Sequence, residues 1–158
     1  ILPRTFGGGQ ERELRPGTEA APLIAGLGAA VEVLPDWRQA YSRMEKLRDY
    51  TLQKLSGLEG VEVNSPVEGL PYLLNFSALG IRSETMLHFL AQRGIYVSSG
   101  SACAKGKQSH VLKAAGLPDS RISSAIRVSF SRENTERDAD ALAEGVREGL
   151  ACLARARR

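Results

Sequence analysis

Cysteine is scarce here: the 158 residues contain two, Cys103 and Cys152. Two distant cysteines cannot build a disulfide framework. No CxxC or Cys/His metal spacing occurs, so no metal centre is expected. A reducing, cytoplasmic setting is the expectation. Long apolar runs are also missing: nothing approaches the roughly 20 residues of a membrane span, and no signal-peptide pattern opens the chain. Aromatics make up only 6%. The cations do not form a long stripe interleaved with them, which argues against a nucleic-acid surface. No internal repeat or low-complexity linker is visible. The first residue is Ile1 rather than Met, and Pro- and Gly-rich sequence follows directly, so a piece of a longer protein is the expectation.

The rest is ordinary globular composition, 42% hydrophobic and 25% charged. Lys plus Arg is 21 and Asp plus Glu is 18, a net charge of +3. Part of that excess sits at the end, in Arg155, Arg157 and Arg158. The length suits one domain, or one domain with an appendage, and can bury a core without staples.

Residues 1–17 read as irregular, with Gly7, Gly8 and Gly9 and a closing Pro16-Gly17. Thr18, a good N-cap type, is expected to open a helix that runs to about Leu34. Pro35-Asp36 ends it and caps a second. Trp37, Ala40, Tyr41, Met44, Leu47, Thr51 and Leu55 recur at three- and four-residue steps, the stripe of a long amphipathic helix. Its aromatics and Met44 are expected in the core. Strands are expected at 61–63, 72–78, 95–97 and 125–130. Between them lie a helix capped by Ser83 and ended by Gly94, and a short helix from Ser109 to Ala115. Thr135 and Asp138 make a capping-box-like start for a last helix, with Ala139, Leu142, Ala143, Val146, Leu150 and Leu153 on one face. The order predicts an α/β or α+β domain, a small sheet with helices packed on it.

Three residues carry candidate chemistry. Cys103 lies in a loop between Gly100 and Gly106, with Lys105, Lys107 and His110 nearby. Cations favour the reactive thiolate, and flanking glycines let a loop swing, so the pattern suits sulfur relay. A surface cysteine in a flexible loop fits the same residues. Thr18 at a helix start could bind a phosphate or simply cap the helix. Arg127 lies between Ile126 and Val128 on a strand, pointing away from both. It could clamp a carboxylate with two hydrogen bonds, or pair with a structural carboxylate, or face solvent. His88 and Cys152 are read as structural or incidental. His110 could tune Cys103 or merely begin its helix.

These pieces occur together in one family. GGGQERELRPGTEA (7–20), PYLLNFSALG (71–80), SSGSACAKGKQSHVLKAAGL (98–117) and SSAIRVSFSRENTERDAD (123–140) resemble, in this order, segments of cysteine desulfurases. Those are class-V aminotransferase-like enzymes that use pyridoxal phosphate (PLP). The resemblance implies the C-terminal domain of a fold-type-I PLP-dependent transferase. Residues 1–35 would be the interdomain segment and helix, and 36–158 the small domain with the cysteine loop. It implies that Cys103 takes sulfur from L-cysteine as a persulfide, leaving L-alanine. It implies that Arg127 holds the substrate carboxylate, and that Thr18 reaches the PLP phosphate of the neighbouring subunit of a homodimer. The Schiff-base lysine would lie in a preceding domain, outside this chain, so the chain alone is expected to be inactive. The sulfur acceptor would be an iron–sulfur scaffold or a thiolation enzyme. A selenocysteine lyase or another class-V enzyme is an alternative, and a stand-alone sulfur-relay or interaction module is a third.

Overall fold

The computed structural model describes residues 1–99 and 109–153. Two compact units emerge, Ile1–Trp37 and Arg38–Arg158, and each is described by itself.

The first unit opens irregularly and then forms α1 (Ala21–Glu32). Thr18 does not cap this helix. Ala20 holds the N-cap position without a side-chain cap bond, and Pro22 sits in the first turn. The reason is Pro22. A helix capped by Thr18 would put Pro22 at its fourth position, where the missing N–H costs a backbone bond. Starting at Ala21 places it where that N–H has no partner anyway. No residue of α1 is buried.

The second unit is built on three antiparallel strands in the order β1 (Val61–Val63), β2 (Leu73–Ala78), β3 (Ala125–Ser129). Val63 pairs with Phe76, and Asn75 with Arg127. Directly paired residues share a face. Val61, Val63, Leu74, Phe76, Ala78, Ile126 and Val128 therefore make one apolar face. Helices α2 (Trp37–Ser56), α3 (Ser83–Ala91) and α6 (Glu136–Cys152) seal it with Leu55, Met86, Leu90, Leu142, Ala143 and Val146. Each fully buried Leu, Phe or Met contributes about 1.5–3 kcal/mol. Two glycines of α6 let α3 approach. A Cβ on Gly145 would lie 2.8 Å from Leu90, and one on Gly149 2.6 Å from the Met86 sulfur.

Helix α2 departs from the expected pattern. Trp37 and Tyr41 are 66% and 46% exposed, and Met44 is only half-buried. Burial begins at Leu47 and continues through Arg48, Thr51 and Leu55. The apolar period spans the whole helix, but the packed core touches only its C-terminal half. Arg48, 4% exposed, donates from Nη1 to the Val67 carbonyl (3.0 Å) and from Nη2 to the Pro66 carbonyl (2.6 Å). It thereby pins the loop between β1 and β2 to α2.

The start of α6 is as expected. The Asp138 carboxylate accepts from the Thr135 backbone N–H at 2.7 Å. That bond, first among its causes, holds the Asp138 carboxyl below its ordinary range. Ser109 caps the short α4 (His110–Ala114), its hydroxyl accepting from the Leu112 N–H at 3.4 Å. A further turn, α5 (Asp119–Ile122), was not expected. Ser83 is the first helical residue of α3 rather than its cap, which is Arg82.

Residues 95–97 do not form a strand. Ile95 donates its N–H to the Leu90 carbonyl at 3.0 Å, so it closes the end of α3. Gly94, at φ +74, supplies the left-handed turn there. Only Ser98 reaches the sheet, through a single bridge to Arg127.

Candidate functional site

The second face of the sheet is polar. Alternation along β3 buries Ile126 and Val128 and turns Arg127 and Ser129 outward, as a half-buried strand requires. Asn75 of β2 stands opposite Arg127. Arg127 uses its backbone toward the other side: its N–H donates to the Ser98 carbonyl at 2.6 Å and its carbonyl accepts from Ser98 at 3.0 Å. Its guanidinium makes no hydrogen bond or ion pair among the described residues. Of the readings open for Arg127, an internal salt bridge is therefore not what the described residues show. An unpaired, outward-facing guanidinium beside an amide is competent to bind an anion.

Next to it lies a network that local sequence patterns do not reveal. Arg121, on α5, donates from Nε and Nη2 to Asn64 Oδ1 at 2.9 and 2.6 Å, and from Nη2 to the Val63 carbonyl at 2.6 Å. Asn64 Nδ2 donates to Asn75 Oδ1 (2.7 Å) and Ser77 Oγ (2.8 Å). Ser77 Oγ donates to the Arg121 carbonyl (2.7 Å). The only hint in the sequence is Asn75, a polar interruption in an apolar strand. The bonds of the network join residues up to 58 positions apart.

Cys103 falls in residues 100–108, outside the described residues. The described chain approaches that segment through Ser98, which is bonded to Arg127. Downstream it resumes at Ser109, the cap of α4. His110 and His88 are exposed, and Cys152 is a free, exposed thiol in α6.

Thr18 belongs to the first unit. It follows a turn in which Glu11, Arg12 and Glu13 all have positive φ (51, 55 and 64), a conformation that disfavours L-residues by roughly 1–2 kcal/mol each. Gly17, at φ +114, is held on both sides: its N–H donates to Gln10 Oε1 (3.3 Å), and its carbonyl accepts from Arg15 Nη1 (2.9 Å). Thr18 is therefore presented by a constrained backbone, with its hydroxyl unbonded among the described residues. Such strain concentrates at functional positions.

A concavity in the second unit lies elsewhere, between the starts of α2 and α6, with Arg43, Lys46 and Arg137 among its lining residues. It contains none of the three candidate residues. Among the described residues no group of His, Cys, Asp or Glu is placed to hold a metal, and no helix is long and apolar enough to cross a membrane.

Comparison with known proteins agrees with the order of motifs. Residues 5–142 match the family Aminotransferase class-V. A cysteine desulfurase IscS from Methanosarcina thermophila is 38% identical over 152 residues, 94% of this chain and 38% of that protein. A selenocysteine lyase from Bos taurus is 35% identical over 162 residues, 97% of this chain and 37% of that protein. The solved structure of a NifS-like protein superposes with a TM-score of 0.79 at 37% identity, covering 97% of this chain and 40% of that one. The chain thus spans less than half the length of the relatives it matches. The structural likeness bears out the expected fold, the small sheet-and-helix domain of fold-type-I PLP enzymes. With most of its length matched, the chain belongs to the class-V aminotransferase family.

Proposed function

We propose that the intact protein is a PLP-dependent cysteine desulfurase, a homodimer that converts L-cysteine to L-alanine and carries the sulfur on Cys103. The observation that carries this reading is Arg127. Its guanidinium is outward and has no partner among the described residues, and its backbone is bonded to Ser98, five positions before Cys103 in the sequence. One residue thus joins a carboxylate-binding group to the entrance of the cysteine segment. The cysteine desulfurases among the relatives support the same reading.

Arg127 would hold the substrate carboxylate and so set the position of the rest of the amino acid. The Cys103 thiolate would attack the substrate sulfur. An S–S bond forms as the C–S bond breaks, and the electron pair stays on carbon, which is protonated to give L-alanine. Bound PLP would supply the electron sink for that bond cleavage. The residues in this chain fit a supporting role toward it. Thr18 offers a hydroxyl donor, unbonded among the described residues, on a constrained backbone, suited to a phosphate oxygen of the neighbouring subunit's cofactor. The Schiff-base lysine would belong to the part of such proteins that this chain does not span. The persulfide would then pass to an acceptor protein, an iron–sulfur scaffold or a thiolation enzyme, in the cytoplasm.

Selenocysteine lyase is the second reading, favoured by the 35% identity to the bovine enzyme. A stand-alone relay module is disfavoured by Arg127, because a relay has no use for a carboxylate clamp.

The test uses the full-length protein loaded with PLP. Cys103→Ala should abolish persulfide formation and sulfur delivery from L-cysteine, detected by mass spectrometry of the cysteine peptide. An unchanged sulfur yield in that variant would remove Cys103 from the mechanism. Turnover of selenocysteine far above that of cysteine, retained in Cys103→Ala, would favour the lyase.

A further inference from the structure

We propose that Asn75 is a second recognition residue for the carboxylate received by Arg127, and that Arg121 and Asn64 fix which way its amide points. The inference rests on the reading of Arg127 above.

The argument follows the direction of each hydrogen bond. A guanidinium can only donate. Arg121 Nε and Nη2 both approach one side-chain atom of Asn64, at 2.9 and 2.6 Å, so that atom is the oxygen. The other end of the Asn64 amide is therefore the nitrogen, and it too can only donate. It lies 2.7 Å from the side chain of Asn75 and 2.8 Å from Ser77 Oγ. The Asn75 atom that meets it must be Oδ1. Ser77 accepts that bond and donates its own proton to the Arg121 carbonyl, 2.7 Å away. Every link has one allowed direction, so the amide orientation follows from donor chemistry and not from a choice between two look-alike atoms.

What remains of Asn75 is its Nδ2, with two N–H donors and no acceptor among the described residues. Its neighbour across the strand is Arg127. The backbone of Asn75 bonds toward β1: its N–H reaches Ser65 Oγ, and its carbonyl accepts from Asn64 and Ser65. The backbone of Arg127 bonds the opposite way, to Ser98. The two residues therefore form a non-hydrogen-bonded pair, the type whose Cα atoms are closest, about 4.5 Å apart. A guanidinium and an amide NH₂ thus stand side by side on one face, both donors. An anion with two acceptor oxygens completes them. A neutral amide adds donors without a second positive charge, which suits a carboxylate carried on an amino acid.

The experiment compares Asn75→Asp, Asn64→Asp and Arg127→Ala in the full-length, PLP-loaded protein. The readouts are KM and kcat for L-cysteine, and the inhibition constants of L-alanine and of ethylamine, which lacks the carboxylate. Asn75→Asp should raise the L-cysteine KM and the L-alanine constant about 10-fold, with kcat within about twofold and ethylamine unchanged. Asn64→Asp keeps an acceptor for Arg121 but stops donating to Asn75. The Asn75 amide then turns its N–H groups toward the new carboxylate and its oxygen toward Arg127. A smaller weakening of L-alanine alone, about threefold, should follow, with ethylamine unchanged. The inference is overturned if either aspartate variant weakens L-alanine and ethylamine equally, or if both leave the L-alanine constant at its wild-type value. If Arg127→Ala also leaves the ratio of the two constants unchanged, the reading of Arg127 falls with it. If Arg127→Ala collapses the ratio and the aspartate variants do not, only the role of Asn75 is lost.

Discussion

On one face of the sheet, Leu74, Phe76, Ile126 and Val128 are sealed beneath α2, α3 and α6. On the other, one residue along in the same strands, Asn75 is half-buried while Arg127 and Ser129 are exposed. A single period-two alternation produces both faces. The apolar face is made, among the described residues, of aliphatic and aromatic side chains with nothing polar to offer a ligand. The polar face has a cation without a partner among the described residues and a directed amide network, and it contributes little buried apolar area. Burial and unsatisfied polar groups are thus carried by interleaved residues of the same strands, and the variants below measure how far the two faces can be perturbed separately.

The largest expected effect lies on the apolar side. Phe76→Ala removes the largest of the fully buried side chains from the centre of the cluster. It should cost about 3–5 kcal/mol, read as a lower urea midpoint. A loss under about 1 kcal/mol would mean that the apolar face is not the stabilising one. The polar network comes next. Arg121→Ala strips the Val63 carbonyl and Asn64 Oδ1 of their guanidinium donors. These groups are half-buried, so about 1–3 kcal/mol is expected. An Arg121→Ala loss as large as that of Phe76→Ala would erase the contrast between the faces.

Local signals made much of the second unit legible from sequence. Thr135 and Asp138 announce α6, and Ala139, Leu142, Ala143 and Val146 recur on its buried face, because capping and period act within a few residues. Gly94 and Gly116, both at positive φ, end their helices for the same local reason. What failed depended on long-range packing. The stripe at Trp37 and Tyr41 has helical period but lies beyond the reach of the core. Ile95–Val97 has strand composition, yet Ile95 is used to close α3. Thr18 has the right chemistry for a cap, and Pro22 overrules it. At the candidate site, Arg127 stands out in the sequence because it is a charged residue flanked by Ile126 and Val128. Arg121 and Asn64 do not, because neither violates anything locally and their meeting is created by the fold.

The smallest expected effect is the most discriminating. The Arg127 guanidinium is exposed and makes no ion pair among the described residues, so its removal strands no buried partner. Its backbone bonds to Ser98 do not depend on the side chain. Arg127→Ala should therefore leave the unfolding free energy within about 0.5 kcal/mol of the parent, measured by urea titration. A residue that only braced the sheet would behave otherwise, because a structural ion pair or packing role registers in stability first. A loss of 2 kcal/mol or more, the range in which a named structural mechanism is needed, would make Arg127 part of the scaffold. It would then merge the two faces into one cooperative core. Near-neutral stability, combined with lost affinity for amino-acid carboxylates, would instead locate recognition on the polar face alone.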